Sequence, residues 1–275
     1  MLRAAGYSAP VIPRIIFQTW RSKNPKDWTW WERRWVASWR RNAGWAHEIH
    51  DDADCLGLVR AHFPEHLSVY QAFRPVERAD FWRYLVLYRY GGLYVDFDTR
   101  CVRPIATWLH DDDELVLALM SDHVAEYPNW RPLGRVRSGG VYDPVAGWRD
   151  NPVVFTNWAM AARPGHPLLA DVIRRVVINA SDPYFLEEDA TWIVKKTGPG
   201  VLTDALMDYL EARGTSTNEV AAELRRRREF RVADVRMLDH AAWYSRYLAH
   251  YGMRTWEPSR EGLDLLWNRL RMKLG

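Results

Sequence analysis

The stretch RADFWRYLVLYRYGGLYVDFD, residues 78–98, changes its hydrophobic period at a pair of glycines. Before the glycines, apolar side chains recur three and four residues apart, which predicts an amphipathic helix over Glu77–Tyr90. Glycine just beyond such a pattern predicts the end of the helix. After the glycines, Leu93, Val95 and Phe97 alternate with more polar residues, the period of a half-buried strand. The stretch therefore predicts a helix that leads directly into a strand.

Segments on both sides of this stretch predict an α/β sheet of the parallel type. A run of β-branched and aromatic residues predicts a strand at Val11–Trp20, and further strands are predicted at Ala46–His50 and Glu114–Met120. Further helices are predicted at Trp28–Arg41, Leu56–His62, Pro167–Ile178 and Gly200–Arg213. Ligands of such sheets bind beyond the carboxyl ends of the strands, which is where Asp96 and Asp98 lie.

Length and composition narrow the class of protein. The 275 residues, 48% hydrophobic and 27% charged, predict one folded domain over residues 1–275. No stretch reaches the roughly 18 consecutive apolar residues of a membrane span and no secretion signal precedes the first strand, so we expect a cytoplasmic protein. A net charge of +3 argues against a nucleic-acid partner. The two cysteines, Cys55 and Cys101, cannot build a disulfide framework, which favours a reducing compartment.

Asp96 and Asp98 carry the most specific chemical signal. Two carboxylates on one face of a strand repel each other unless a cation neutralises them. Carboxylate oxygens suit Mg²⁺ or Mn²⁺, which keep positions open for phosphate oxygens, so the pair predicts handling of a diphosphate. On the preceding helix, Asp80 and Arg83 form either an ordinary surface ion pair or a site for a sugar hydroxyl and phosphates. Another acidic triplet, Asp111–Asp113, predicts a solvated turn.

These motifs resemble the signature of glycosyltransferase family 32, R-A-D-x-x-R-Y followed by Y-G-G-x-Y-x-D-x-D. The family includes Golgi mannosyltransferases and bacterial capsule enzymes, and its core is similar to the clostridial glucosylating toxins. The opening IPRIIFQTW, residues 12–20, resembles the family's I-P-K-x-I-x-Q-x-W strand, with Phe17 where many relatives have His. Later segments also resemble family motifs, at Asn157, at Gly165-His166-Pro167, at Thr197-Gly198-Pro199, and at His250 with Thr255-Trp256.

The resemblance implies a GT-A fold, which is a Rossmann-like mixed sheet flanked by helices. It implies a retaining glycosyltransferase that moves a hexose from GDP-mannose or a UDP-hexose to a glycan or lipid-linked acceptor. Mn²⁺ or Mg²⁺ is the implied cofactor, with Asp96, Asp98 and His250 as the implied metal ligands. Tyr251 stands where many members have a second His, so His250 is the better ligand candidate.

The resemblance also implies the roles of the remaining site residues. Trp20 would stack on the base, and the implied donor-binding set is Thr19, Trp20, Arg83, Tyr94, Asp96, Thr255 and Trp256. The implied catalytic set is Asp80, Arg83, Asp98, Asn157 and Trp256. A retaining glycosidase needs a carboxylate nucleophile, and no residue here is a clear candidate. The favoured route is therefore one in which the leaving phosphate takes the proton of the acceptor.

Simpler interpretations stay open for several residues. Trp20 is equally well a core residue, Asn157 a turn residue, His250 an ordinary histidine and His166 the start of a helix. The run Arg225–Arg228 predicts a solvated helix face, and no other concentrated basic stripe is expected.

Two other classes of function compete with the transferase. One is a nucleotide-sugar-binding protein without transfer activity. The other is an Arg/Trp-rich module for anionic surfaces, suggested by the 16 tryptophans. The segment Leu263–Leu274 predicts an amphipathic helix within residues 260–275, which either packs on the domain or lies in a membrane interface as a peripheral contact.

Overall fold

A mixed β-sheet of seven strands forms the centre of the structure. The computed structural model describes residues 11–120, 154–182, 185 and 190–252, with two short strands at 135–136 and 142–143. The strands of the central sheet are β1 (Ile15–Thr19), β2 (Ala46–His50), β3 (Gly92–Val95), β5 (Leu115–Ala118), β8 (Ala159–Ala162), β9 (Glu229–Val232) and β10 (Val235–Leu238). Two separate pairs are β4 (Thr99–Cys101) with β11 (Leu248–His250), and β6 (Arg135–Val136) with β7 (Tyr142–Asp143).

The order of strands across the sheet is β2-β1-β3-β8-β5-β10-β9. β2, β1 and β3 run parallel, and so do β5 and β10, while β8 is antiparallel to both of its neighbours. β9 is also antiparallel, because only two residues join it to β10 and so short a connection returns as a hairpin. The parallel sheet predicted from the element order is therefore correct for β1, β2, β3, β5 and β10, which all run in one direction, and wrong for β8 and β9. The mixed sheet flanked by helices that the resemblance implied is confirmed.

Eight α-helices surround the sheet in the described part of the chain. They are α1 (Trp30–Arg40), α2 (Asp52–His62), α3 (Leu67–Ala72), α4 (Pro75–Tyr90), α5 (Pro167–Ser181), α6 (Ala190–Lys196), α7 (Pro199–Glu211) and α8 (Thr217–Arg226). Short 3-10 turns occur at Pro25–Asp27, Pro64–His66 and Ile105–Thr107, and a π-helical turn occurs at Ala242–Tyr247. None of the helices among these residues is long and apolar enough to cross a bilayer.

Capping side chains explain where several helices begin. Thr29 and Glu32 form a reciprocal capping box at the start of α1, and Asp51 and Asp54 do the same for α2. The helix predicted from Leu56 therefore begins four residues earlier, because the Asp51 carboxylate accepts hydrogen bonds from the first backbone N–H groups.

Both faces of the sheet are covered. Helices α4, α5 and α7 pack on one face, and α1 packs on the other with the buried Trp39, Trp108 and Trp243. β3 lies between β1 and β8, and all four of its residues are buried. The half-buried strand predicted there is wrong, because the period-2 pattern does not show that a second helical layer covers the polar side. The strand also ends at Val95, so Asp96 and Asp98 lie just beyond it.

The glycine pair joins α4 to β3 without a loop. Gly91 ends the helix at φ 66°, and its N–H donates to the carbonyl of Leu87 at 2.8 Å. A β-carbon on Gly91 would lie 2.6 Å from Pro164, and one on Gly92 would lie 2.6 Å from Ile15. Both positions therefore require glycine, for their backbone angles and for the close approach of neighbouring chain.

Asp113 is not the solvated turn residue that the sequence predicted. Its carboxylate is fully buried and accepts hydrogen bonds from Arg236 at 2.6 and 2.8 Å and from Arg231 at 2.7 Å. The two arginines lie more than a hundred residues away, on β9 and β10, so the local sequence could not reveal them. The interpretation as a solvated turn is correct for its exposed neighbours Asp111 and Asp112.

Other predictions concern the arginine run, the two cysteines and the C-terminal residues. Arg226, Arg227 and Arg228 are exposed, as predicted, although α8 ends at Arg226. Cys55 and Cys101 are free, the first buried and the second half-buried. Thr255, Trp256 and the segment 260–275 lie outside the described residues.

His166 begins α5, as the simpler interpretation predicted, and is fully buried. Its Nδ1 accepts the N–H of Leu168 at 3.2 Å, so Nε2, 3.4 Å from Asp234, carries the proton of the neutral ring. Burial lowers the pKa of His166 to about 4, against the opposing effect of Asp234. Protonation at Nδ1 would also remove the capping hydrogen bond.

We expect this histidine to destabilise the fold in acid. The contribution of neutral His166 to stability is complete above its unfolded pKa of 6.5 and is lost as the pH falls toward about 4. The loss should reach about 3 kcal/mol, from the usual conversion of a pKa difference into free energy. Urea unfolding of wild type and His166→Asn between about pH 7.5 and about pH 4.5 measures it, because asparagine keeps a capping oxygen without titrating. Parallel pH profiles of the two proteins would contradict the assignment.

Candidate functional site

Two carboxylates and an imidazole meet beyond the carboxyl end of β3. One ligand atom each from Asp96, Asp98 and His250 lies within 4.8 Å of the others. His250 reaches this place because β11 pairs with β4, which sets it opposite Thr99. Its Nε2 lies 3.3 Å from the Asp98 carboxylate, and the N–H of Tyr251 donates to the Asp98 carbonyl at 3.0 Å. The three residues implied as metal ligands are therefore brought together.

Trp158 supports this cluster from β8's side of the sheet. Its carbonyl accepts the N–H of Asp96 at 2.7 Å, and its ring stacks on the imidazole of His250 at 4.4 Å and 14°. Gln18 donates to the Asp96 carbonyl at 3.1 Å. No local pattern distinguishes Trp158 from the other tryptophans, so its position beside His250 could not be predicted from the sequence.

Arg83 lies between two carboxylates in the interior. Its guanidinium is 3.1 Å from Asp80 and 3.3 Å from Asp96, and it donates to the carbonyl of Asn157 at 2.9 Å. Asp80 also accepts hydrogen bonds from the Asn157 amide at 2.9 Å and from the Thr197 hydroxyl at 3.0 Å. All but Asp96 are buried, so the interpretation of Asp80 and Arg83 as a surface ion pair is wrong. A role for the Thr197 hydroxyl was not predicted, although its turn was noted.

The surroundings shift the acidity of these groups. Burial raises the pKa of Asp80 to about 6, even though Arg83, Thr197 and Asn157 favour the ionised form. Burial also raises the pKa of Asp96 against the attraction of Arg83. Burial disfavours the charged form of His250, but the adjacent Asp98 outweighs it and the pKa is raised. A cluster with this excess of carboxylates favours an additional cation.

Tyr94 of β3, and the residues at and just after the end of β1, lie near the carboxylates. The hydroxyl of Tyr94 donates to Asp96 at 2.8 Å and lies 3.4 Å from the hydroxyl of Thr19. Tyr94 is buried, with the Arg83 guanidinium 4.7 Å from its ring centre. Trp20 is half-buried and stacks on Phe97 at 4.6 Å. Thr19, Trp20 and Tyr94 therefore lie at the same end of the sheet as the acidic pair.

Residues 15–115 match the family described as "Glycosyltransferase sugar-binding region containing DXD motif". The predicted resemblance is confirmed over this part of the chain, which matches the DXD sugar-binding region of glycosyltransferases.

Several of the curated relatives are named as mannosyltransferases. The chain is 32% identical over 214 residues to "Initiation-specific alpha-1,6-mannosyltransferase" of Schizosaccharomyces pombe, covering 72% of this chain and 49% of the relative. It is 28% identical over 193 residues to "Inositol phosphoceramide mannosyltransferase 3" of the same yeast, covering 68% and 43%. The chain thus spans about half the length of the curated relatives it matches.

A solved structure shows the same fold. "PaToxG Glycosyltransferase" superposes with a TM-score of 0.50 at 18% identity, over 79% of this chain and 76% of that one.

We expect the Thr197 hydroxyl to stabilise the buried carboxylate. Thr197→Val removes a hydrogen bond to Asp80 in an isosteric side chain and should cost about 1–3 kcal/mol of unfolding free energy. Thr197→Ser keeps the hydroxyl and is the matched control. Urea unfolding at neutral pH measures both, and a Thr197→Val protein as stable as the wild type would show that the hydrogen bond contributes nothing.

Proposed function

We propose that the chain is a retaining, divalent-metal-dependent hexosyltransferase that transfers an α-linked mannosyl group from a nucleoside diphosphate donor. The observation that carries the proposal is the cluster of Asp96, Asp98 and His250 next to the buried network of Asp80 and Arg83. The mannosyl donor is supported by the names of the relatives, several of which are mannosyltransferases. The retained configuration is supported by the α-linkage in the name of one of them.

The residues present fit a divalent metal ion. Two carboxylates and one imidazole within 4.8 Å offer oxygen and nitrogen ligands that Mn²⁺ accepts, and few enough of them to leave room for phosphate oxygens. A metal ion held by Asp96, Asp98 and His250 supplies positive charge for a diphosphate leaving group. Mn²⁺ or Mg²⁺ is the proposed cofactor.

The buried network has a different task, which is to hold the donor sugar. Oδ1 of Asp80 accepts from the Asn157 amide and lies 3.1 Å from the Arg83 guanidinium. Oδ2 accepts only from the Thr197 hydroxyl and keeps a lone pair for a sugar hydroxyl. The Asn157 amide fixes the orientation of this carboxylate, and Arg83 contributes positive charge toward phosphates. Because Arg83, Asn157 and Thr197 all bind Asp80, this carboxylate is a poor nucleophile. That supports transfer in which the leaving phosphate takes the proton of the acceptor.

The acceptor is proposed to be a hydroxyl of a glycan or glycolipid. The names of the relatives support both classes, since one names inositol phosphoceramide. Trp20, half-buried and stacked on Phe97, is the proposed contact for the donor base. The cytoplasmic location stays a prediction.

The acidic pair provides the direct test. Asp98→Asn should lower Mn²⁺-stimulated release of GDP from GDP-mannose by about 100-fold or more, the usual cost of removing one electrostatic contribution to a transition state. Asp111→Asn, in the other acidic triplet and with a side chain 61% exposed, is the matched control and should keep full activity. UDP-hexoses tested in parallel identify the donor.

Two outcomes would count against the proposal. Substantial Mn²⁺-stimulated activity in folded Asp98→Asn would exclude the acidic pair as the metal site. Donor binding by the wild type, detected by thermal shift but without nucleotide release for any donor or acceptor in the panel, would favour a nucleotide-sugar-binding protein.

Trp158 should influence the affinity for metal through the ring of His250. Trp158→Phe keeps a stacking ring and should bind Mn²⁺ about as well as the wild type. Trp158→Leu should bind Mn²⁺ about 10-fold more weakly, which is the usual effect of losing a residue that orients a metal ligand. Electron paramagnetic resonance of free Mn²⁺ measures the affinity, with circular dichroism to confirm folding. Unchanged affinity in folded Trp158→Leu would show that the stack does not position His250.

A further inference from the structure

We propose that the exposed face of α1, together with the neighbouring residues of β4 and its following turn, docks the protein on a membrane surface that carries anionic lipids. This "α1 basic face" consists of Arg33, Arg34, Arg40 and Arg41 with Arg100 and Arg103. The proposal concerns a surface outside the site described above, and it does not depend on the proposed transfer reaction.

The exposed residues of α1 and its C-cap form one stripe. Trp30, Arg33, Arg34, Ala37, Arg40 and Arg41 are exposed and follow the spacing of a single helix face. The opposite face, with Trp35, Val36 and Trp39, is buried. The only exposed side chains of α1 and its C-cap are therefore four arginines, one tryptophan and one alanine, apart from the half-buried Trp31.

The stretches of chain that form the α1 basic face carry no exposed acidic side chain, although Asp27 is exposed just before α1. Within residues 28–47 and 99–107 the one acidic residue is Glu32, which is buried and accepts the N–H of Thr29 at 2.6 Å. Among the described residues, none of the six arginines pairs with a carboxylate, whereas Arg226 and Arg227 both pair with Glu223. The expectation of no basic stripe beyond Arg225–Arg228 is therefore wrong, because a net charge of +3 hides how the charges are distributed.

β4 extends the basic face toward the candidate site. It packs against α1 through hydrogen bonds from the N–H of Cys101 to Ser38 at 2.9 Å and from the Trp39 indole to the carbonyl of Thr99 at 3.1 Å. β4 and its following turn expose Arg100, Val102 and Arg103. Since Asp98 directly precedes β4, a membrane on this side would lie next to the acidic cluster.

Exposed apolar side chains favour a lipid surface over a nucleic acid. Trp30 is 55% exposed and Val102 is 41% exposed, each among arginines. An indole with one polar edge is suited to the interface of a bilayer. The Arg34 guanidinium lies 5.8 Å from the Trp30 ring, so charge and ring form one contact unit. Clusters of four to eight cations are typical of segments that bind anionic lipids.

Vesicle sedimentation of the full chain tests the proposal. The wild type should bind vesicles of phosphatidylcholine with phosphatidylserine, not phosphatidylcholine alone, and binding should weaken with salt. The triple variant Arg34→Gln/Arg40→Gln/Arg41→Gln should bind about 100-fold more weakly, from about fivefold for each cation at an anionic surface. The matched control is Arg226→Gln/Arg227→Gln/Arg228→Gln, which removes the same charge elsewhere and should change affinity less than about threefold. Thermal melting confirms that both variants fold.

Three results would overturn the proposal. In the first, the α1 triple variant binds the anionic vesicles like the wild type, which would place the contact elsewhere in the chain. In the second, both triple variants lose affinity equally, which would show a general charge effect. In the third, the wild type ignores the anionic vesicles but binds duplex RNA through the α1 arginines, which would make the face a nucleic-acid surface.

Discussion

The candidate site depends on one buried cation. Arg83 is almost fully enclosed, and its charge is tolerable only because Asp80 and Asp96 both approach it within 3.3 Å. Asp80 lies on the same helix, Asp96 follows the central strand, and the carbonyl that completes the set belongs to Asn157 near β8. A single charge therefore fixes helix, strand and neighbouring strand relative to one another. A shift of any of the three would leave a carboxylate or a guanidinium buried without compensation.

Local patterns in the sequence were sufficient for the elements that bear this network. The bounds of β2 and the end of α4 agree with the prediction, and the helix end follows from a terminal glycine, which is a property of adjacent residues. Burial on both faces of β3, the direction of β8 and the ion pairs of Asp113 were not predictable. Each of them depends on residues that are distant in the chain.

The same distinction applies to the candidate site. Motifs in the sequence predicted Asp96, Asp98 and His250 as one site, and their proximity in the structure agrees with the resemblance. Trp158 and the Thr197 hydroxyl act through a stacked ring and one hydrogen bond, which only the folded chain brings into contact with His250 and Asp80. The α1 basic face was not predicted, for a different reason. Its arginines are spaced for one side of a helix, and acidic residues elsewhere in the chain balance the total charge.

The direct connection from α4 to β3 has a consequence for how this chain can vary. Since Gly91 and Gly92 are enclosed by Pro164 and Ile15, the junction has no room for an inserted residue. The separation between the carboxylate on the helix and the carboxylates after the strand is therefore insensitive to changes of loop length. Adaptation to a larger or smaller donor must therefore occur in other segments of the chain that lie near the site. For protein engineering, this junction keeps the separation of these carboxylates constant while other segments are changed to alter donor specificity.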